Sequence, residues 1–75
     1  SFKEQREYEQ IDAVIAELEE KIAQTEQQIA DSASDYTALQ ELTAQKEQLE
    51  AELAEKMDRW VYLNDLAERI EAQKK

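Results

Sequence analysis

The chain has 75 residues, 37% of them charged, a formal net charge of −10 at pH 7, and no Gly, Pro, Cys or His. That length holds one small domain, and the missing residues exclude a disulfide framework, the usual zinc ligands and His-dependent acid–base chemistry. No apolar run approaches the roughly 20 residues of a membrane span, and no basic segment followed by an apolar one marks a signal peptide; the start at Ser1 without Met points to a domain excised from a larger protein.

Residues 1–4 read as a polar lead-in from which Phe2 alone stands out. The first helix is expected from about residue 5 to 31, built on a stripe of Tyr8, Ile11, Ile15, Leu18, Ile22, Thr25 and Ile29. Spacings of three and four alternate along it, so Tyr8, Ile15, Ile22 and Ile29 take a positions while Ile11, Leu18 and Thr25 take d positions. Such a narrow apolar seam needs a partner to bury it. The seam breaks at Asp31-Ser32-Ala33-Ser34-Asp35, short polar residues that favour turns and caps. A turn is therefore expected near residues 31–37, at about 32–36. Thr37 with Gln40 reads as a capping box opening the second helix, with Asp35 or Ser34 as alternative caps.

The second helix is expected over about 37–73, with its own stripe of Leu39, Leu42, Lys46, Leu49, Leu53, Lys56 or Met57, Trp60, Leu63, Ala67 and Ile70. A short connection forces two such helices antiparallel. The predicted fold is thus all-α, a two-helix antiparallel coiled-coil hairpin. Two alignments satisfy the heptads. One sets Leu18 against Lys46 and Tyr8 against Lys56. The other faces Ile29 with Leu42, Ile22 with Leu49, Leu18 with Leu53, Ile11 with Trp60 and Tyr8 with Leu63, and puts the polar pair Thr25 and Lys46 in one layer. The second leaves fewer mismatches, with the Lys56 stem covering Ile15 and Met57 filling the gap. The expected core is Tyr8, Ile11, Ile15, Leu18, Ile22, Ile29, Leu39, Leu42, Leu49, Leu53, Trp60 and Leu63. Their burial is largely offset by chain entropy, so a marginal monomer or a weak homodimer is expected.

Charge is unevenly placed. No Lys or Arg lies between Lys21 and Lys46. A hairpin gathers Lys3, Arg6, Arg59, Arg69, Lys74 and Lys75 at its open end, the one basic surface on which a phosphate backbone can settle. The plainer reading is solvated helix ends, because acids are interspersed among them. Trp60 as a base-stacking residue competes with Trp60 as core. Lys46 and Lys56 read as polar seam residues that set register. Glu19, Glu20, Glu50, Glu52 and Glu55 lie on helices without a loop to converge them on a cation. Tyr36 at the turn is a candidate tip contact. Two helices make no cleft in which paired carboxylates could be tuned for catalysis, so the chain is read as non-enzymatic, without cofactor or metal.

Phe2-Lys3-Glu4-Gln5-Arg6-Glu7 resembles the opening motif of the C-terminal coiled-coil domain of ABC-F ATPases, the Uup-like group. Ile15 with Leu18-Glu19, Ile22 and Ile29-Ala30-Asp31 are similar to that domain's first helix. Asp35-Tyr36, Leu39, Leu42, Leu49, Leu53, Arg59-Trp60 and Leu63 are similar to its turn and second helix. The resemblance implies a cytoplasmic parent with tandem ATP-binding cassettes and no membrane domain, acting in many cases on the ribosome. It also implies an accessory hairpin linked in some members to DNA or RNA binding. ATP and Mg are then expected only in the parent's ATPase domains. The alternative is a structural or spacing arm making protein contacts only.

Overall fold

A computed structural model describes residues 1–74. It contains two helices, α1 (Phe2–Asp31) and α2 (Tyr36–Gln73). Both are rich in Glu, Gln, Lys, Ala and Leu, good helix formers with no interior breaker. They lie antiparallel in a rod of 60 × 16 × 14 Å. At 1.5 Å per residue, α2 alone accounts for about 57 Å of that length.

Both helix starts differ from the sequence expectation. The lead-in at residues 1–4 is already helical from Phe2, where α1 begins. Ser1 is its N-cap, with Oγ accepting from the Glu4 N–H at 3.3 Å and Glu4 Oε1 accepting from the Ser1 nitrogen at 3.2 Å. That reciprocal pair satisfies donors which α1 leaves without intrahelical partners. At the turn, Asp35 rather than Thr37 is the N-cap of α2, its Oδ1 accepting from the Ala38 N–H at 3.1 Å. An ionised carboxylate at a helix N-terminus also meets the positive end of the helix dipole. Ser32 closes α1 by donating its N–H to Gln28 O and Ile29 O, and Asp35 N–H donates to Ser32 O at 2.9 Å. No described residue needs a positive φ, which is why four residues without glycine suffice to reverse the chain.

Only the line where the two seams meet is fully covered. Ile11 and Leu63 are each 2% exposed, and Leu18 and Thr25 join them as buried. Tyr8, Ile15, Ile22 and Ile29 of α1 are half-buried, as are Leu39, Leu42, Leu49, Leu53 and Trp60 of α2. Two helices shield each side chain from one direction, so most of the seam keeps an edge in water. Trp60 is therefore not the deepest residue near the open end; Leu63 is. Met57 is 48% exposed, and Lys56 is exposed as well.

The cross-hairpin contacts agree with the second alignment. Tyr8 and Leu63 line one groove, and Lys21, Gln28, Gln45 and Glu52 line another. Thr25, the buried polar residue of the seam, donates its Oγ1–H to Lys21 O at 2.8 Å, one turn back on its own helix. Lys46 is half-buried, with Nζ 3.4 Å from Glu26 Oε2. Lys21 pairs with Glu17 at 3.6 Å, one turn back on its own helix.

Candidate functional site

The open end holds the densest polar network among the described residues. Arg59 Nε and Nη2 donate to the two carboxylate oxygens of Glu7 at 2.7 and 2.9 Å. Its Nη2 also stands 4.0 Å from Glu4 Oε2. The guanidinium lies 4.8 Å from the Tyr62 ring centroid, and the Tyr62 hydroxyl donates to Glu4 Oε2 at 2.9 Å. Glu4 and Glu7 are one turn apart on α1, and Arg59 and Tyr62 are one turn apart on α2. Each helix thus presents one pair across the seam. On the other flank Tyr8 donates its hydroxyl proton to Asn64 Oδ1 at 2.9 Å.

These contacts set the ionisation of the cluster. The Arg59 hydrogen bonds hold the Glu7 carboxyl below the usual carboxylate range. Glu4 is lowered as well, first by the Tyr62 hydroxyl and then by the Ser1 nitrogen. In return Tyr62 is raised by donating to Glu4, and Arg59 is raised by Glu7. At neutral pH the cluster holds two carboxylates, one guanidinium and a neutral phenol.

The basic residues named from the sequence fall into three groups. Arg59 is engaged by Glu7. Arg69 is paired with Asp65 at 3.0 Å along α2. Lys3, Arg6 and Lys74 have no carboxylate within 4.0 Å among the described residues. The Arg6 guanidinium instead sits 5.6 Å from the centroid of the exposed Phe2 ring. Lys75 lies outside the described residues.

The same end carries most of the exposed apolar surface. Phe2, Val61, Tyr62 and Ile70 are exposed there and Met57 nearer the middle of the rod, against Tyr36 near the turn among the described residues. Between the helices a groove of about 430 Å³ is walled by Tyr8, Leu63, Leu66, Ala67 and Ile70, with Glu4, Glu9 and Lys74 at its rim. Tyr36 is the first residue of α2 and is 74% exposed. Among the described residues no group of three or more acidic side chains converges on a metal-binding geometry. Among the described residues no helix is long and apolar enough to cross a membrane.

The Glu7–Arg59 pair was not foreseen from the sequence. It spans 52 positions and becomes visible only once the register is fixed. The Ser1–Glu4 capping box did have a local signal, the Ser-x-x-Glu spacing ahead of an apolar-periodic run.

Comparison with known proteins places these features in a family. The profile of the ABC transporter C-terminal domain matches residues 1–65. A protein of Bacillus subtilis (strain 168), the uncharacterized ABC transporter ATP-binding protein YfmR, is 42% identical over 72 residues. That similarity covers 96% of this chain and 11% of the relative, so the chain spans about a tenth of the relative's length. No solved structure matches the chain. The residues here do not fit ATP. Without a glycine the backbone cannot wrap a phosphate in the loop that such cassettes use.

Proposed function

The chain belongs to the ABC transporter C-terminal domain family, and from that premise we propose that it is a non-catalytic accessory arm of a cytoplasmic ABC-F ATP-binding protein. In this reading the arm helps its parent engage ribosomal RNA or another nucleic acid, and the contact is made by the open end of the hairpin. The supporting observation is the placement of charge. Among the described residues Lys3, Arg6 and Lys74 stand without carboxylate partners at one end of the rod, whereas the half around the turn holds Glu26, Asp31, Asp35 and Glu41 and no base between Lys21 and Lys46. A net charge of −10 opposes a phosphate backbone on average, so this contact is weak, local and confined to the end where cations are free. The domain's task is to add a contact to a parent already held near its target, where effective concentration multiplies a modest affinity.

The test is fluorescence anisotropy of a labelled ribosomal RNA fragment and a labelled DNA duplex with the 75-residue chain at two salt concentrations. Saturable binding that weakens with salt and disappears in a Lys3→Gln/Arg6→Gln/Lys74→Gln variant is expected. Absence of binding at low salt would reject the reading.

A second reading has an observation of its own. Phe2, Val61, Tyr62 and Ile70 expose apolar surface at the same end, and a protein contact on the parent or on a second copy would use them. Such a contact tolerates salt and fails on Val61→Glu.

A further inference from the structure

We infer that Arg59 is a masked phosphate-binding residue, held by Glu7 in the geometry that a phosphodiester would otherwise occupy. This inference rests on the nucleic-acid reading above and adds its regulation.

A guanidinium presents its donors as a planar fork, and carboxylates and phosphates both accept that fork through two parallel hydrogen bonds. Glu7 does so here, with Nε–Oε2 at 2.7 Å and Nη2–Oε1 at 2.9 Å. Glu4 adds a second negative charge at 4.0 Å, and the Tyr62 ring covers one face of the guanidinium. These contacts orient Arg59 without sealing it. Its side chain remains 41% exposed, and the pair lies toward the end of the rod where Lys3, Arg6 and Lys74 have no carboxylate partner among the described residues. An arriving phosphate therefore exchanges with Glu7 for a guanidinium that is already pre-oriented by Tyr62. Exposed ion pairs are weak enough for such an exchange to be readily reversible. Arg69 differs, because its Asp65 partner is one turn away on the same helix. Displacing Asp65 leaves the hairpin unchanged, whereas displacing Glu7 removes a tie between α1 and α2. Nucleic-acid binding through Arg59 is thereby coupled to loosening of the first turns of α1.

The test compares the wild-type chain, Glu7→Gln, Glu7→Gln/Arg59→Gln and Glu9→Gln in the same anisotropy assay, over a salt series. Circular dichroism verifies that each variant stays helical, and the amide keeps the length and helix propensity of the glutamate. Glu7→Gln is expected to bind about two- to fivefold more tightly, with a salt dependence steeper by about one phosphate contact. The double variant returns to the wild-type slope. Glu9→Gln makes the same change in net charge beside the site and leaves the slope unaltered. RNA and duplex arms identify which polymer supplies the phosphate.

Equal affinity and slope for wild type and Glu7→Gln, with the wild type binding, overturns the masking while leaving the nucleic-acid reading standing. An equal gain in Glu9→Gln overturns it too, since the gain is then a matter of net charge. If no variant binds either polymer at low salt, both the masking and the reading beneath it fail.

Discussion

Leu63→Ala removes the side chain on which the open half of the hairpin closes. Leu63 is 2% exposed, level with Ile11 as the best-covered residue of the rod. The change deletes three carbon atoms, and burial at about 0.8 kcal/mol per methylene gives roughly 2.4 kcal/mol for transfer alone. The vacated space adds to this. A rod two helices thick can collapse into it in part, which places the total near 3 kcal/mol, within the range of roughly 2–5 for buried Leu→Ala. For a domain of this size that corresponds to a Tm lower by about 15 °C. Val61→Ala, two residues away and 58% exposed, is the control and is expected to stay within about 0.5 kcal/mol of wild type. Urea unfolding followed by circular dichroism at 222 nm reads both. A loss below about 1 kcal/mol for Leu63→Ala, or equal losses in the two variants, would show that the seam does not close as described.

Other consequences follow from single contacts. Asp35→Ala removes the cap of α2 and is expected to cost about 0.5–2 kcal/mol, whereas Thr37→Ala, inside the helix, is expected to cost little; the two midpoints in urea decide between the caps. Thr25→Val exchanges a buried hydroxyl bonded to its own helix for a methyl group. Because the Lys21 carbonyl keeps its helical environment, this variant is expected to melt at or above the wild-type temperature, and a clear loss would mean that the hydroxyl holds the seam in a way its bond to Lys21 does not reveal. The open end also carries a pH signature. Glu4 and Glu7 titrate below their ordinary value of 4.5 in the folded state. Their contribution is therefore complete above about that pH and is lost as pH falls through the lowered folded values. Tyr62 is raised above 10.0, so its contribution is present below pH 10 and is lost as pH rises through the raised folded value. Side-chain NMR titration of Glu7 in wild type and Arg59→Gln tests the acid arm, which requires the Glu7 midpoint to move up when Arg59 is removed.

The helices were legible because the seam is periodic. Alternating three- and four-residue steps from Tyr8 to Ile29 leave little choice of structure, and the absence of Gly and Pro lets each helix run uninterrupted. The antiparallel pairing followed from the polar break at 31–35, and the register from the mismatches that the rival alignment creates at Lys46 and Lys56. Cap choice was less legible. Thr37 with Gln40 has the reciprocal spacing of a capping box, but Asp35 offers a full negative charge to the Ala38 N–H and starts α2 at Tyr36, ahead of Thr37. The depth of burial was not legible either, because period alone ranks Trp60 and Leu63 equally and only the geometry covers Leu63. At the open end the sequence showed a concentration of basic residues. It could not show that Arg59 is already matched by Glu7, since that pair depends on how two distant helical faces meet, whereas the Asp65–Arg69 pair follows from its four-residue spacing on one helix.

The claim that the open end is the contact surface is tested most directly by backbone NMR of the isotope-labelled chain titrated with an unlabelled ribosomal RNA fragment at low salt. Shifts confined to residues 1–10 and 57–74, with Gln24 to Lys46 silent, are the expected result. Shifts centred on Tyr36 and the turn, or none at any residue, would contradict it.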